Sequence, residues 1–155
     1  MLTLIIYHSI HHGNTEKIAQ VMADVLKAKL IKSDDVDLNS ISYHDLIGFG
    51  SGVYFGRTHR SLLKLVDKLP DQKGKKAFVF TTSGMGRVWL YNVLAKPLKK
   101  KLLEKNFKIV GEFNCRGWDT YPIYVRPFGG INKGRPNEKD LEKAREFARN
   151  LEKIK

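Results

Sequence analysis

Short apolar runs alternate along the chain with longer stretches in which apolar residues recur every three or four positions. The short runs predict buried β-strands, and the longer stretches predict helices with one buried face. The predicted strands are Leu2–Tyr7, Val36–Leu38, Leu46–Gly50, Lys76–Thr81 and Phe107–Asn114, and the predicted helices are Thr15–Leu30, Arg60–Leu69, Val88–Lys105 and Glu138–Lys153. This alternation predicts an α/β fold in which helices cover both faces of a five-stranded parallel sheet, with residues 1–155 in one domain.

Proline and asparagine residues indicate where the predicted helices begin and end. Pro70 ends the second helix, and Pro97, inside the third, is expected to kink that helix or divide it in two. Asn137 is predicted to cap the last helix, whose first turn is acidic. A long loop from Cys115 to Pro136 precedes that cap.

Three of the predicted strands are followed by loops rich in glycine, serine, threonine or histidine, at residues 9–15, 50–56 and 81–86. In an open parallel sheet, ligands bind outside the carboxyl ends of the strands, where the strand order reverses. In the strand order 2-1-3-4-5 these three loops lie side by side. The sequence therefore predicts one site for a flat ligand with a phosphate tail.

The first loop carries the donors that such a phosphate needs. Ser9, Asn14 and Thr15 offer side chains, the backbone from Ile10 onward offers N–H groups, and Gly13 permits close approach. The chain lacks both the Gly-x-x-x-x-Gly-Lys-Ser/Thr and the Gly-x-Gly-x-x-Gly patterns here, which argues against a nucleoside triphosphatase and a dinucleotide fingerprint. A bound phosphomonoester fits best, and the alternative is that Ser9 or Asn14 merely caps the helix.

Charge and cysteine content narrow the class of protein. The formal net charge of +12 favours anionic partners, but the basic residues are dispersed and no nucleic-acid-binding signature is present, so a nucleic-acid role is not favoured. No apolar run is long enough to span a membrane, and the amino-terminal run does not resemble a signal peptide. The single cysteine excludes a disulfide framework and favours a cytoplasmic location.

The remaining reactive residues predict neither a metal site nor a nucleophile. None of the five histidines is accompanied by a carboxylate or cysteine at ligand spacing, so no metal site is expected. Cys115 is interpreted as a buried residue at the end of a strand, because no neighbouring base is apparent. The paired acidic residues that a receiver domain needs after its first strand are also missing.

The ordered set of loops resembles the flavodoxin family, in particular small flavodoxin-like proteins of prokaryotes, over essentially the whole chain. Ser9-x-His11-x-Gly13-Asn14-Thr15 is similar to the flavodoxin phosphate loop. Residues 50–56 (GSGVYFG) and 82–86 (TSGMG) fall where flavodoxins hold the isoalloxazine ring, and residues 115–119 and 129–140 complete the pattern. The resemblance implies a flavodoxin-like α/β/α sandwich and FMN as the cofactor.

The resemblance also implies which residues contact FMN. Those expected to hold its phosphate are Ser9, Ile10, His11, Gly13, Asn14 and Thr15, with Ile10 and Gly13 acting through their amides. The middle loop, with Gly52, Tyr54, Phe55 and Gly56, is expected to line the ring; Gly56, or alternatively Gly52, would turn a peptide carbonyl toward the reduced ring, and Tyr54 would stack on it. Thr82, Ser83 and Gly84 are expected at the pyrimidine edge or the ribityl chain, and Trp89 or Trp118 is expected to shield the flavin.

The implied function is electron transfer through FMN between redox partner proteins, with no residue acting as a general acid or base. The alternative is an FMN-dependent oxidoreductase on the same fold, of the quinone reductase or protoporphyrinogen oxidase type. Flavodoxins are typically acidic, whereas this chain has a formal net charge of +12. Because of this charge we expect redox partners with acidic surfaces and a less negative low-potential couple of the flavin. We also expect a monomer or weak dimer.

Overall fold

Five parallel strands form a sheet in the order β2-β1-β3-β5-β6, and a two-residue strand, β4, pairs antiparallel with the end of β3. The computed structural model describes residues 1–10, 12–84, 95–121 and 123–154. The strands are β1 (Thr3–His8), β2 (Lys29–Lys32), β3 (Leu46–Tyr54), β4 (Arg57–Thr58), β5 (Lys76–Ser83) and β6 (Lys108–Arg116). The parallel order is the one predicted, with β4 as an addition.

Helices cover both faces of this sheet. They are α1 (Asn14–Leu26), α2 (Arg60–Asp67), α3 (Lys96–Glu104) and α4 (Glu138–Glu152), and short 3₁₀ helices occupy Leu38–Tyr43 and Ile123–Phe128. One buried cluster joins the sheet to α2 and α3, and the other joins it to α1 and α4. The three-layer α/β/α arrangement predicted from the sequence is confirmed. Within the described residues, no helix is both long and apolar enough to cross a membrane.

Alternation along the central strands divides their side chains between the two clusters. Ile6 of β1 packs with α2 and α3, whereas its neighbour Ile5 packs with α1 and α4. Gly50 of β3 lies beside Phe80 of β5, and a Cβ at position 50 would lie 2.0 Å from the phenyl Cζ. Glycine at this position therefore makes room for a phenylalanine ring in the core.

The second predicted strand and the end of the first predicted helix are wrong. Helix α1 stops at Leu26 because Lys27 takes a left-handed backbone conformation, with φ of 50°. The chain then forms β2 at residues 29–32, which pairs with β1, and Val36–Leu38 is not a strand. The misleading signal was Leu30, which continues the apolar spacing of α1 although it belongs to an edge strand.

Pro97 lies in the first turn of α3, which begins at Lys96, and its missing N–H costs no hydrogen bond there. The predicted helix start at Val88 lies outside the described residues. Residues 50–54 continue β3 instead of forming a loop, since they pair with β1, β4 and β5. The predicted cap is confirmed: Asn137 forms a capping box with Asp140.

Candidate functional site

A pocket of about 820 Å³ opens at the carboxyl edge of the sheet, beside the ends of β1, β3 and β5. The register places Ser51 beside both His8 and Thr81, so these strand ends are adjacent. The residues that line the pocket are Ile10, Asn14, Thr15, Gly52, Val53, Tyr54, Phe55, Arg57, Thr58, His59, Arg60, Leu63, Thr82, Gly84, Trp118, Asp119 and Tyr121. The three loops singled out in the sequence all contribute to it, as predicted.

The amino terminus of α1 reaches the pocket without a side-chain cap. His12 and Gly13 have left-handed backbones, with φ of 53° and 62°, and Gly13 is the N-cap residue. Among the described residues no side chain caps the first turn, so the alternative in which Ser9 or Asn14 caps this helix is wrong. Free N–H groups and the positive end of the helix dipole suit this turn to an anion.

Asn14 is held against the loop that follows β6. Its Nδ2 donates to the carbonyl oxygen of Trp118 at 2.7 Å, while its Oδ1 is buried without a hydrogen-bond partner within the described residues. Gly117 lies so close that a Cβ on it would be 2.5 Å from Asn14 Nδ2. A buried acceptor without a partner is costly, so a ligand that donates to Asn14 Oδ1 would be favoured.

The exit of β5 closes the site from the side. The hydroxyls of Thr15 and Thr82 are 2.8 Å apart and buried, which ties the start of α1 to β5. Ser83 is also buried. Gly84 lies against Asp119, where a Cβ would come within 2.3 Å of the aspartate Cβ, and its carbonyl accepts from Asn132 Nδ2 at 2.5 Å. These contacts pack the exit of β5 against the start of α1 and against the loop after β6.

A tight hairpin forms the outer wall. Phe55 and Gly56 both have positive φ, 49° and 74°, as a two-residue turn between antiparallel strands requires. The Phe55 ring is 84% exposed and meets Tyr121 edge to face, with centroids 5.2 Å apart. Tyr54 accepts from Ile10 N–H at 3.2 Å, and burial raises its pKa above the ordinary value.

The loop after β6 packs against the loop that precedes α1. Trp118 Nε1 donates to the carbonyl of Gly129 at 2.7 Å, and the ring stacks on His12. Asp119 pairs with Ile131 through both backbone hydrogen bonds. These contacts fix the long loop against itself and against His12, which lies far from it in the sequence.

The predicted site residues divide into three groups. Those that line the pocket are Ile10, Asn14, Thr15, Gly52, Tyr54, Phe55, Thr82, Gly84 and Trp118. Those that lie beside it without lining it are Ser9, Gly13, Gly56 and Ser83. His11 and Trp89 lie outside the described residues. The wall at residues 57–60, together with Leu63, was not predicted, because the Phe55–Gly56 turn was not recognised as a hairpin. Asp119 and Tyr121 were not predicted either, since they reach the pocket only through the packing of the long loop after β6.

Cys115 is buried near the end of β6, as the sequence predicts. Burial raises the pKa of its thiol to about 12, so it stays protonated at neutral pH and is a poor nucleophile. Among the described residues, no three His, Cys, Asp or Glu side chains converge in a way that would hold a metal ion.

Comparisons with known proteins extend this picture. A family model described as a flavodoxin domain matches residues 4–117. An uncharacterized protein of Methanocaldococcus jannaschii is 49% identical over 151 residues, covering 97% of this chain and 98% of that protein. Among solved structures, oxidised flavodoxin 2 of Bacillus cereus is 21% identical with a TM-score of 0.76 over the whole of both chains. A flavodoxin, WrbA-like protein of Agrobacterium tumefaciens is 20% identical with a TM-score of 0.68, covering 99% of this chain and 98% of that one.

Proposed function

This chain belongs to the flavodoxin family, and we propose that it binds FMN in the pocket and carries electrons between redox partner proteins. The observation that carries the proposal is the uncapped amino terminus of α1 at the pocket. A phosphate there would accept from the free N–H groups of the first turn and would be stabilised by the helix dipole. We assign this role to the segment from Ser9 to Thr15.

A second observation that supports this cofactor is an unpartnered polar atom at the pocket. Asn14 Oδ1 is a buried acceptor with no partner in the described residues, and the hydroxyl groups of a ribityl chain are donors of the kind it lacks. Gly52 and Gly84 also line the pocket, and a Cβ on either would clash with its wall, 2.7 Å from the Tyr54 hydroxyl oxygen or 2.3 Å from Asp119 Cβ, so the wall requires glycine at both positions. Bound FMN would supply the electron chemistry, and the chain would hold and shield it.

Aromatic residues at the rim would keep water away from the ring. Trp118 lines the pocket and is held by its bond to the Gly129 carbonyl, so we assign shielding to this tryptophan. Phe55 and Tyr121 stand at the mouth in edge-to-face contact. Tyr54 is bonded to the Ile10 amide, which makes it a support of the first loop as well as a wall of the pocket.

A binding experiment tests this proposal. We expect titration of the purified protein with FMN to shift the visible flavin bands, and we expect riboflavin, which lacks the phosphate, to bind far more weakly. Each charge-assisted hydrogen bond to the phosphate is worth about 1.5–3 kcal/mol, so the difference between the two ligands should exceed about tenfold. Equal affinity for FMN and riboflavin would show that the helix terminus does not hold a phosphate.

The wall formed by the long loop favours one further candidate function. Trp118, Asp119 and Tyr121 of this loop all line the pocket, so a substrate bound there beside a flavin would contact them. We propose an FMN-dependent oxidoreductase as this second candidate. Steady-state turnover with a quinone or a porphyrinogen would favour it, whereas reduction by single electrons without turnover favours the electron carrier.

The charge of the chain supports a partner class. At +12, the surface attracts proteins with acidic faces and speeds their encounter. We propose that the redox partners are acidic and that the protein works in the cytoplasm, where its single cysteine stays reduced. Association rates that fall steeply as salt is raised would support acidic partners.

A further inference from the structure

Two histidine rings lie face to face at the side of the pocket. The ring of His8, at the end of β1, and that of His59, just before α2, have centroids 3.5 Å apart and planes 4° apart. His59 lines the pocket, whereas His8 Nε2 is buried without a hydrogen-bond partner in the described part of the chain. Neither ring has a part in the FMN contacts proposed above.

A backbone N–H determines the tautomer of His59. The amide of Ser61 donates to His59 Nδ1 at 3.2 Å, which caps α2. Because a backbone N–H can only donate, His59 Nδ1 has to be the unprotonated nitrogen, and the proton of the neutral ring lies on Nε2. His59 therefore stands in the wall of the pocket with a defined N–H group.

Two serines connect this pair to solvent. Ser61 Oγ lies 2.9 Å from His59 Nδ1, 3.0 Å from His8 Nδ1 and 2.9 Å from Ser33 Oγ. Ser33 Oγ is also 3.1 Å from His8 Nδ1 and donates to Asp34 Oδ1 at 3.5 Å. Asp34 is exposed. Since a hydroxyl both donates and accepts, this chain of contacts can pass a proton from water at Asp34 to the pocket wall.

Burial favours the neutral form of both rings. Burial lowers the pKa of His8 and of His59, and the neighbouring His59 lowers that of His8 further. Asp34 opposes these shifts in both rings, while Arg60 adds to the lowering at His59. Tyr54, which meets both rings edge-on, keeps its proton because burial raises its pKa.

We propose that His59 gives a proton to the molecule that is reduced in the pocket, and that Ser61 and Ser33 replace this proton from solvent at Asp34. The inference rests on the proposed function, in which that molecule is the flavin and two electrons come from a redox partner. One proton leaves Nε2 of His59 for the flavin, while Nδ1 takes a proton from Ser61 Oγ. Ser61 is refilled by Ser33, and Ser33 by water at the Asp34 carboxylate.

The cap on α2 favours the His59 tautomer with which each transfer begins. With a proton on Nδ1, the ring would face the Ser61 N–H donor to donor, which is unfavourable. When the flavin is reoxidised, Nε2 takes a proton back from it while Nδ1 returns its own proton to Ser61 Oγ, and the hydrogen bond from the Ser61 N–H is restored. In this scheme His59 is the proton donor, and His8, Ser33 and Ser61 are positioning residues that hold the ring and connect it to water.

The tautomer can be measured without a cofactor. In a two-bond ¹H–¹⁵N spectrum of the imidazole rings at pH 7.5, we expect His59 to carry its proton on Nε2. His44 is an internal reference of the opposite kind, because its Nδ1 lies 2.7 Å from the Ser40 carbonyl oxygen and has to donate to it. A proton on His59 Nδ1, or a charged His59 ring at this pH, would overturn the proposal.

The relay is tested by the rate at which the FMN-loaded protein takes up protons on reduction, followed with a pH indicator in a stopped-flow instrument. Because general acid catalysis contributes about 10²–10⁴-fold, we expect uptake at least about tenfold slower in Ser61→Ala and in His59→Asn, with unchanged amplitude. Asparagine retains a capping oxygen for α2. Added imidazole should restore the rate in His59→Asn, which a loss of structure would not allow.

Ser42→Ala is the matched control, since Ser42 is an exposed serine whose hydroxyl donates to the Asn39 carbonyl, away from this network. It should leave the rate of proton uptake unchanged. If FMN binds and the rate is the same in all three variants, this inference is wrong while the proposed function stands. If FMN does not bind at all, both are wrong.

Discussion

The imidazole of His12 and the indole of Trp118 stack with their centroids 3.9 Å apart and their planes 19° apart. His12 Nε2 also lies 2.9 Å from Thr120 Oγ1, and the Trp118 carbonyl accepts from Asn14. The loop before α1 is thereby joined to the loop after β6. A ligand at the start of α1 would consequently meet a wall supplied by a loop more than 100 residues further along the chain.

This stacking leads to the first prediction. Trp118→Ala should weaken FMN binding, because it removes a wall of the pocket and the partner of His12. An aromatic pair contributes about 0.5–1.5 kcal/mol, which corresponds to a loss of up to about tenfold in affinity. Quenching of flavin fluorescence during titration measures this. Tyr43→Ala is the control, since Tyr43 is 74% exposed and does not line the pocket, and equal losses in both variants would contradict the prediction.

Gly117→Ala should perturb the protein at Asn14. The new Cβ would lie 2.5 Å from Asn14 Nδ2, so the asparagine or the backbone has to move. Overpacking of this kind costs about 1–3 kcal/mol. We expect a lower melting temperature and weaker FMN binding, measured by thermal unfolding with and without the ligand.

The control for this substitution is Gly74→Asn. A Cβ at position 74 would meet no heavy atom of the described residues within 4 Å, and the φ of +81° lies in a region that asparagine tolerates better than most residues. The substitution should leave FMN affinity at the wild-type value. Unchanged affinity in Gly117→Ala as well would mean that Asn14 does not contact the ligand.

Stability should decrease on mild acidification because of the stacked histidines. The pKa values of His8 and His59 lie below 6.5 in the folded protein, chiefly through burial. Below pH 6.5 the unfolded chain takes up protons that the folded chain does not. The free energy of unfolding therefore decreases as the pH is lowered, until the pH passes the pKa values of the folded state. The effect is absent well above pH 6.5, where both states are neutral.

Urea unfolding at a series of pH values from 7.5 down to 5.5 measures this dependence. In His59→Asn the free energy of unfolding should decrease less steeply with falling pH, because up to one proton fewer is taken up on unfolding. Asparagine keeps an oxygen for the cap on α2, so the variant should fold. The same slope in wild type and variant would show that the pair does not titrate in this window.

The potential of bound FMN should respond to the positive charge of the chain. A surface at +12 stabilises the negative charge that reduction adds, so we expect the low-potential couple to be less negative than in acidic flavodoxins. Each tenfold change in the relative affinity of the protein for the two redox states of a one-electron couple shifts its reduction potential by ~59 mV. Raising the salt concentration should screen the effect and lower the potential. A couple as low as that of an acidic flavodoxin, insensitive to salt, would contradict this.

Local signals in the sequence were sufficient for the strand and helix alternation and for the three loops. Periodic burial in β1 and α1, and turn residues between them, are properties of neighbouring positions, so they can be recognised without tertiary contacts. The cap at Asn137 is also local, since its partner Asp140 is three residues away. The edge strand β2 was missed, because its four residues are only partly buried and pair with β1 alone.

The alternation of strands and helices and the polar loops after three of the strands could be predicted from the amino-acid order alone, because hydrophobic periodicity and glycine-rich turns act over short distances. The strand order was predicted through the resemblance to flavodoxins. Packing in three dimensions brought His59 onto His8 and Trp118 onto His12, and it left Asn14 Oδ1 without a partner among the described residues. These contacts join residues far apart in the chain. Their geometry depends on how the loops pack once the sheet has formed, and no local pattern encodes that.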